Sequence, residues 1–167
     1  MPFSLLPKVI AGKITRLTPE YLASQGIRLL MMDFDNTIVP YTTNIPTEEM
    51  ANWLDRMNRS SIQLCVVSNS KNQRVQIFCK QYGLDCITHA RKPFTDGISR
   101  CLEKYQIPPE ESALVGDQIY TDTLGGNCAG VTSILVKAIH NHNIWLKLRH
   151  IAELPFIYLG KIRRKGK

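Results

Sequence analysis

A chain of 167 residues with 44% hydrophobic content has the length and the ordinary apolar fraction of one globular domain. Its formal charge of +7 is unevenly spread, because residues 1–136 hold 13 Lys and Arg against 13 Asp and Glu while residues 137–167 hold 8 against 1. No apolar stretch reaches the roughly 20 residues that cross a bilayer, and the N-terminus lacks a hydrophobic core with a cleavage site, so a cytoplasmic protein is expected.

The first segment carries an apolar stripe, Phe3, Leu6, Ile10, Ile14 and Leu17, with Lys8, Lys13 and Arg16 beside it. Thr18 Pro19 Glu20 then opens a short helix with a capping hydroxyl and proline at the first helical position, and Gly26 ends it. The apolar run 29–34 reads as a buried strand, and it terminates in two acids, Asp33 and Asp35. Two-residue spacing sends both carboxylates to the same side of a strand. The end of a buried parallel strand is also where open α/β sheets place their ligands. By itself such a pair equally well opens an Asx turn.

Further along, Met50, Trp53, Leu54 and Met57 recur at helical spacing in a predicted helix over 47–58, and Leu64 Cys65 Val66 Val67 forms the next strand. That strand ends at Ser68 Asn69, which offers a hydroxyl and backbone amides to a phosphate oxygen. Val75, Phe78 and Tyr82 mark a helix over 71–82, followed by a short strand over 86–89. Lys92 precedes Pro93 and is expected in an extended segment, since a residue before proline avoids the helical region. The strand Ala113 Leu114 Val115 closes on Gly116 Asp117, with Asp122 in the loop or helix that follows. Strands alternating with helical patterns predict βαβ units around a parallel sheet.

Each element alone has a bland reading as a cap, a solvated lysine or a turn. In this order and at strand ends they supply what phosphate chemistry requires. The chain resembles the haloacid dehalogenase (HAD) superfamily of phosphohydrolases, whose four motifs match Asp33 Phe34 Asp35 Asn36 Thr37, then Ser68, Lys92, and Gly116 Asp117 through Asp122. The match covers roughly residues 29 to 136. Within that superfamily the segments LTPEYL at 17–22, VVSNS at 66–70, ARKP at 90–93 and GDQIYTDTLGGN at 116–127 resemble the YqeG-like branch, which is similar to mitochondrial phosphatidylglycerophosphate phosphatase.

The resemblance implies a three-layer, Rossmann-like HAD fold and a magnesium-dependent phosphatase. Asp33 would be the nucleophile that forms an aspartyl phosphate, and Asp35 the acid and then base for the leaving alkoxide and the water. Lys92 would supply charge to the phosphate, with Ser68 and the amides near Asn36 and Asn69 donating to it, and Thr37 would orient the turn. Mg²⁺ would take the Asp33 carboxylate, the Asp35 backbone carbonyl and Asp117, with Asp122 acting directly or through water.

Thirty residues separate Thr37 from Ser68 and 23 separate Ser68 from Lys92, and the predicted helices and strands consume both intervals, so no large cap domain is expected. An uncovered site suits a phosphate projecting from a large or surface-bound substrate. The whole chain, 1–167, reads as one capless domain with a core over about 27–136 and amphipathic, basic flanks at 1–26 and 137–167. Five cysteines without a CxxC pair argue for reduced thiols and against zinc, and the four histidines form no HExxH motif, His140 and His142 reading as a polar loop.

In the C-terminal flank Ile144, Trp145, Leu148, Ile151 and Ala152 recur at helical spacing opposite Lys147 and Arg149, before Phe156, Tyr158 and the basic end at 161–167. Together with the N-terminal stripe, such a segment suits peripheral contact with an anionic membrane, or else packs on the sheet as a last helix. The substrate expected is therefore a phosphorylated molecule with a lipid headgroup, phosphatidylglycerophosphate, with soluble phosphomonoesters and phosphoproteins as alternatives. A nucleic-acid or ribosome-associated binding role for the basic tail is the competing class. It is disfavoured because binding alone has no use for the acid set, and no interleaved set of stacking aromatics is present.

Overall fold

The computed structural model describes residues 4–71, 73–139 and 155. The expected C-terminal amphipathic stripe, the basic end, Phe3 and His140, His142 and His150 lie outside the described residues. Six parallel strands form one sheet in the order β1-β6-β5-β2-β3-β4, where β1 is Val9–Ile10, β2 Leu29–Met32, β3 Gln63–Val67, β4 Asp85–Ile87, β5 Ser112–Gly116 and β6 Thr132–Leu135. The helices are α1 (Pro19–Ser24), α2 (Glu48–Asn58), α3 (Gln73–Gln81), α4 (Asp96–Tyr105) and α5 (Leu124–Cys128).

The central strand explains why the sheet is buried on both sides. All four residues of β2 are buried, and they alternate between two apolar layers. Leu30 and Met32 pack with Met50, Trp53, Leu54 and Met57 of α2 and Val75 and Phe78 of α3. Leu29 and Met31 pack with Ile98 and Cys101 of α4. Each such side chain taken from water contributes about 1.5–3 kcal/mol, so the three-layer arrangement is what these strands and helix stripes jointly select. α2 shows the local logic. Thr47 caps it by accepting from the Met50 amide at 3.2 Å, its apolar stripe faces the sheet, and the Trp53 indole donates to the Leu17 carbonyl at 2.8 Å.

β2 pairs with β3 on one side and β5 on the other, so the chain reverses its direction of winding at β2. That switch point opens a crevice at the carboxyl ends of the strands. Among the described residues, the intervals from Asp33 to Ser68 and from Ser68 to Lys92 contain only α2 with β3 and α3 with β4, with no cap domain inserted.

The N-terminal stripe packs on the sheet: Val9–Ile10 is the edge strand against Ile134 and Leu135, and Ile14 and Leu17 are buried in the core around a 3-10 turn. Two local expectations are corrected. β4 stops at Ile87, because His89 and Arg91 both take left-handed conformations (φ 53° and 58°) that no strand continues. Lys92 accordingly sits in a turn, closed by the Phe94 amide on the Arg91 carbonyl at 2.9 Å, and not in an extended segment.

Candidate active site

Asp33 follows β2 directly, its amide still bonded to the Val115 carbonyl at 2.9 Å, so its position is fixed by the sheet. Phe34 then accepts from the amides of Ile38 and Val39, which folds the chain back on itself, with Asn36 left-handed (φ 63°) at the bend. Asn36 donates its amide to the Val39 carbonyl and accepts at its own carbonyl from the Ile139 amide. Asparagine tolerates this conformation better than most residues, which accounts for its place in the motif.

The bend sends Asp33 and Asp35 to different cations, although a continuous strand would have kept them together. The Lys92 ammonium donates to Asp33 Oδ1 at 2.7 Å, and the Thr37 hydroxyl lies 3.4 Å from Asp33 Oδ2. Asp35 instead pairs with Arg74 of α3, at 2.9 Å. Burial raises Asp35 above the ordinary carboxylate range; Arg74 works against the shift and Asp33 with it. A carboxyl tuned upward by its surroundings suits a group that must both give and take a proton.

Lys92 is the hub. Its ammonium touches Asp33 Oδ1 and Asp122 Oδ1, each at 2.7 Å, with the lysine side chain 1% exposed. Burial by itself would lower the lysine, but Asp122 and Asp33 outweigh it and hold the ammonium protonated. Asn69 sets the lysine's backbone: its side-chain oxygen accepts from the Lys92 amide at 2.7 Å and its side-chain nitrogen donates to the Lys92 carbonyl at 2.8 Å. The Asn69 side chain is thus engaged with Lys92. Ser68 is buried at the end of β3, its hydroxyl accepting from the Ser70 amide at 3.1 Å.

Asp117 follows β5, and Asp122 lies in the π-helical turn Ile119–Thr123, where it also accepts from the Gln118 amide at 3.1 Å. One carboxylate oxygen from each of Asp33, Asp117 and Asp122 lies within 4.8 Å of the others, and all three residues are buried. Among the described residues these three carboxylates meet one ammonium, a formal excess of two negative charges. Burial pushes Asp122 up to about 6 even though Lys92 opposes the shift, with Asp33 adding to it. A compact set of hard, acidic oxygen donors fits a divalent cation such as Mg²⁺. All nine residues singled out from the sequence, Thr37 included, lie at this one edge of the sheet; Asp35 stands apart from the acidic cluster through Arg74.

Two features escaped the sequence. Arg74, which the sequence does not single out, lies 5.1 Å over the Phe34 ring and donates to the carbonyls of Tyr41 (2.8 Å) and Pro40 (3.3 Å) as well as pairing with Asp35. Nothing in its spacing marks it. Asn69, read as a phosphate donor, acts through its side chain on Lys92.

Known proteins bear out the class. The chain is 30% identical over 161 residues to the probable phosphatase YqeG of Bacillus subtilis, covering 96% of this chain and 93% of that protein. It belongs to the HAD superfamily of phosphatases. Residues 89–143 also match a HAD-hydrolase-like family profile. Similar solved structures include an uncharacterized protein of Listeria monocytogenes (TM-score 0.57, 15% identity, 71% of this chain and 84% of that one). Another is the cobalt-bound deoxy-D-mannose-octulosonate 8-phosphate phosphatase of Haemophilus influenzae (TM-score 0.55, 14% identity, 75% of each chain). At these identities the two structures speak for the fold alone. All five cysteines are unpaired, and among the described residues no helix is long and apolar enough to cross a membrane.

Proposed function

We propose that this HAD phosphatase is a magnesium-dependent phosphomonoester hydrolase that works through an aspartyl phosphate on Asp33, and that its substrate is phosphatidylglycerophosphate, released as phosphatidylglycerol. The observation that carries the chemistry is the buried Asp33–Lys92–Asp122 chain beside Asp117. A phosphomonoester dianion repels a carboxylate, so attack requires fixed positive charge at the phosphoryl oxygens. Mg²⁺ held by Asp33, Asp117 and Asp122, with the Asp35 backbone carbonyl, would supply the larger part of that charge.

The protein's own groups do the rest. A carboxylate oxygen of Asp33 forms a bond to phosphorus as the bond to the ester oxygen breaks, and Asp35 gives its proton to the departing alkoxide. Ionised Asp35 then takes a proton from water, whose oxygen attacks the phosphorus and releases inorganic phosphate with Asp33 restored. Such acid–base work is worth roughly 10² to 10⁴ in rate. Lys92 fixes Asp33 and neutralises phosphoryl charge, Ser68 donates to a phosphoryl oxygen, and Arg74 holds the ionised Asp35 carboxylate while the aspartyl phosphate stands.

Support for a lipid headgroup is the absence of a cap over the site. An open crevice cannot enclose a small metabolite and read its far side, but it admits a phosphate that projects from a surface. A phosphate-release screen decides between substrates: detergent-dispersed phosphatidylglycerophosphate, soluble sugar phosphates and phosphopeptides, each with magnesium or a chelator. The lipid is expected to be turned over fastest, only with magnesium, and not at all by Asp33→Asn. Preference for a soluble ester would replace the substrate and keep the mechanism; turnover by Asp33→Asn would end the mechanism.

A further inference from the structure

The described residues expose five large hydrophobic side chains, and their placement is one-sided. Tyr41 and Ile45 lie on the segment 33–47 that follows β2, Phe94 on the segment 88–95 that carries Lys92, and Tyr120 just after Asp117. Ile77 is on α3, one turn beyond Arg74. The segments at the opposite edge of the sheet, 59–62, 82–84, 106–111 and 129–131, expose none among the described residues and carry Arg28, Arg59, Glu110 and Glu111 at or beside them.

Ile45 and Phe94 are 77% and 71% exposed, which a folded chain does not grant large apolar groups without use when they gather at one edge. The edge is also built to hold them out. Arg74 on α3 fastens the Tyr41 and Pro40 carbonyls, the Ile45 amide donates to the Thr43 hydroxyl at 3.0 Å, and Phe94 stands on the turn closed at Arg91.

The charge around them is mostly of one sign. The segments at this edge, 11–13, 33–47, 68–71, 88–95, 117–118 and 136–139, expose Lys13, Lys71, Arg91 and Lys137 and no Asp or Glu; Lys13 is paired at 2.8 Å with exposed Glu49 of α2, and exposed Glu48 and Asp96 begin the helices behind them. Ile139 bonds Asn36 at the same edge, so the chain leaves toward its basic C-terminal segment from beside the active site.

We infer that the catalytic edge is a docking face for an anionic phospholipid surface, with Ile45, Phe94, Tyr41 and Tyr120 entering the interface around the Asp33 crevice while Lys71, Arg91 and Lys137 meet the headgroups. The inference rests on the lipid-phosphate reading above and adds the orientation: the protein sits mouth-down, so the crevice meets phosphates in the plane of the headgroups. Aromatic and aliphatic side chains mixed with cations are the composition of an interfacial contact. The cations act within a Debye length of about 8 Å at physiological salt, and a substrate phosphate at that depth needs no cap to enclose it.

The test uses the full chain and vesicles of phosphatidylcholine with or without phosphatidylglycerol. Ile45→Ser/Phe94→Ser removes the two most exposed groups, whose side chains are assigned no part in the chemistry. It is expected to bind the anionic vesicles at least about tenfold more weakly, a loss of about 1.4 kcal/mol, and to hydrolyse vesicle-borne phosphatidylglycerophosphate more slowly in proportion. Turnover of p-nitrophenyl phosphate and of detergent-dispersed lipid is expected to stay at the wild-type level. Equal vesicle sedimentation of variant and wild type overturns the docking face, as does a variant that is monomeric where the wild type is dimeric with vesicle binding unchanged. Wild-type failure on detergent-dispersed lipid would instead strike the substrate reading, which keeps the two separate. Phe94→Trp gives a second readout free of folding questions: its added emission is expected to be quenched by bromine-labelled lipid, and emission untouched by the label would also overturn the proposal.

Discussion

Lys92→Met removes the ammonium from between Asp33 and Asp122 while keeping the apolar stem, and its cost follows from the burial of all three groups. The side chains of Lys92, Asp33 and Asp122 are 1%, 10% and 2% exposed, so solvent screens little of the interaction. Deleting one partner of a buried pair costs about 3–5 kcal/mol, because the remaining charge is left uncompensated. For a domain of this size each kcal/mol moves the melting temperature by about 2–4 °C, which gives a loss of about 6–20 °C. Asp122 sets the pH dependence. Burial already raises it, to about 6, and loss of Lys92 raises it further. A carboxyl whose folded pKa lies above its unfolded value of about 3.9 destabilises the fold when ionised; the penalty is full above the folded pKa and relieved as pH falls through it. The gap between variant and wild type in thermal melts is therefore expected to be larger at about pH 8 than at about pH 5, and to narrow when magnesium is added at the higher pH. A gap below about 2 °C, or one that grows on acidification, would refute the reasoning.

Asp117→Ala is expected to raise the magnesium concentration for half-maximal activity by more than the about 10- to 100-fold that loss of an outer-shell partner costs, since a direct anionic ligand is removed; coincident magnesium titrations of the two proteins would contradict its place in the site. Asn69→Ala removes both hydrogen bonds that fix the Lys92 backbone, each worth about 1 kcal/mol. It is expected to lower kcat about tenfold with little change in KM, and a KM effect alone would make Asn69 a substrate contact instead. Arg74→Met removes the charge that opposes the upward shift of Asp35. The alkaline limb of kcat/KM, set by protonated Asp35, should move to higher pH, and Arg74→Lys should restore part of it; a profile unchanged in Arg74→Met would separate Arg74 from the chemistry.

The elements legible in the sequence were those whose signals are local. β2 announces itself as four consecutive apolar residues, α2 as a capped stripe at i, i+3, i+4 and i+7, and each of the motif residues follows a strand whose end is marked by the change from apolar to polar. What stayed illegible depends on distant partners. β1 is two residues long and exists only because β6 offers it an edge. α4 carries Ile98, Cys101 and Tyr105 at helical spacing, but Gly97 in its first turn weakens the pattern for a reason only the fold supplies: any side chain there would meet the Ala90 backbone. That close approach brings α4 against the segment that carries Lys92.

The same dependence explains why the acidic cluster is tighter than motif order alone implies. Gly116 ends β5 against Asp122, and a Cβ at that position would collide with the Asp122 carboxyl. Gly125 of α5 lies against Pro93, 3.3 Å from its Cα to where a Cβ would be, so the helix after Asp122 packs directly on the residue after Lys92. Gly116 thus lets Asp122 fold back against the end of β5, Gly125 lets the third and fourth motifs approach one another, and the ion pair between Lys92 and Asp122 goes with both. Glycine in a motif that reads GDQIYTDTLGGN is therefore a statement about distance as much as about turns. The carboxylates named by sequence become a cation site only because small residues elsewhere in the motif permit their backbones to close, and Asp35, which lies outside that approach, is left to Arg74 and to proton transfer.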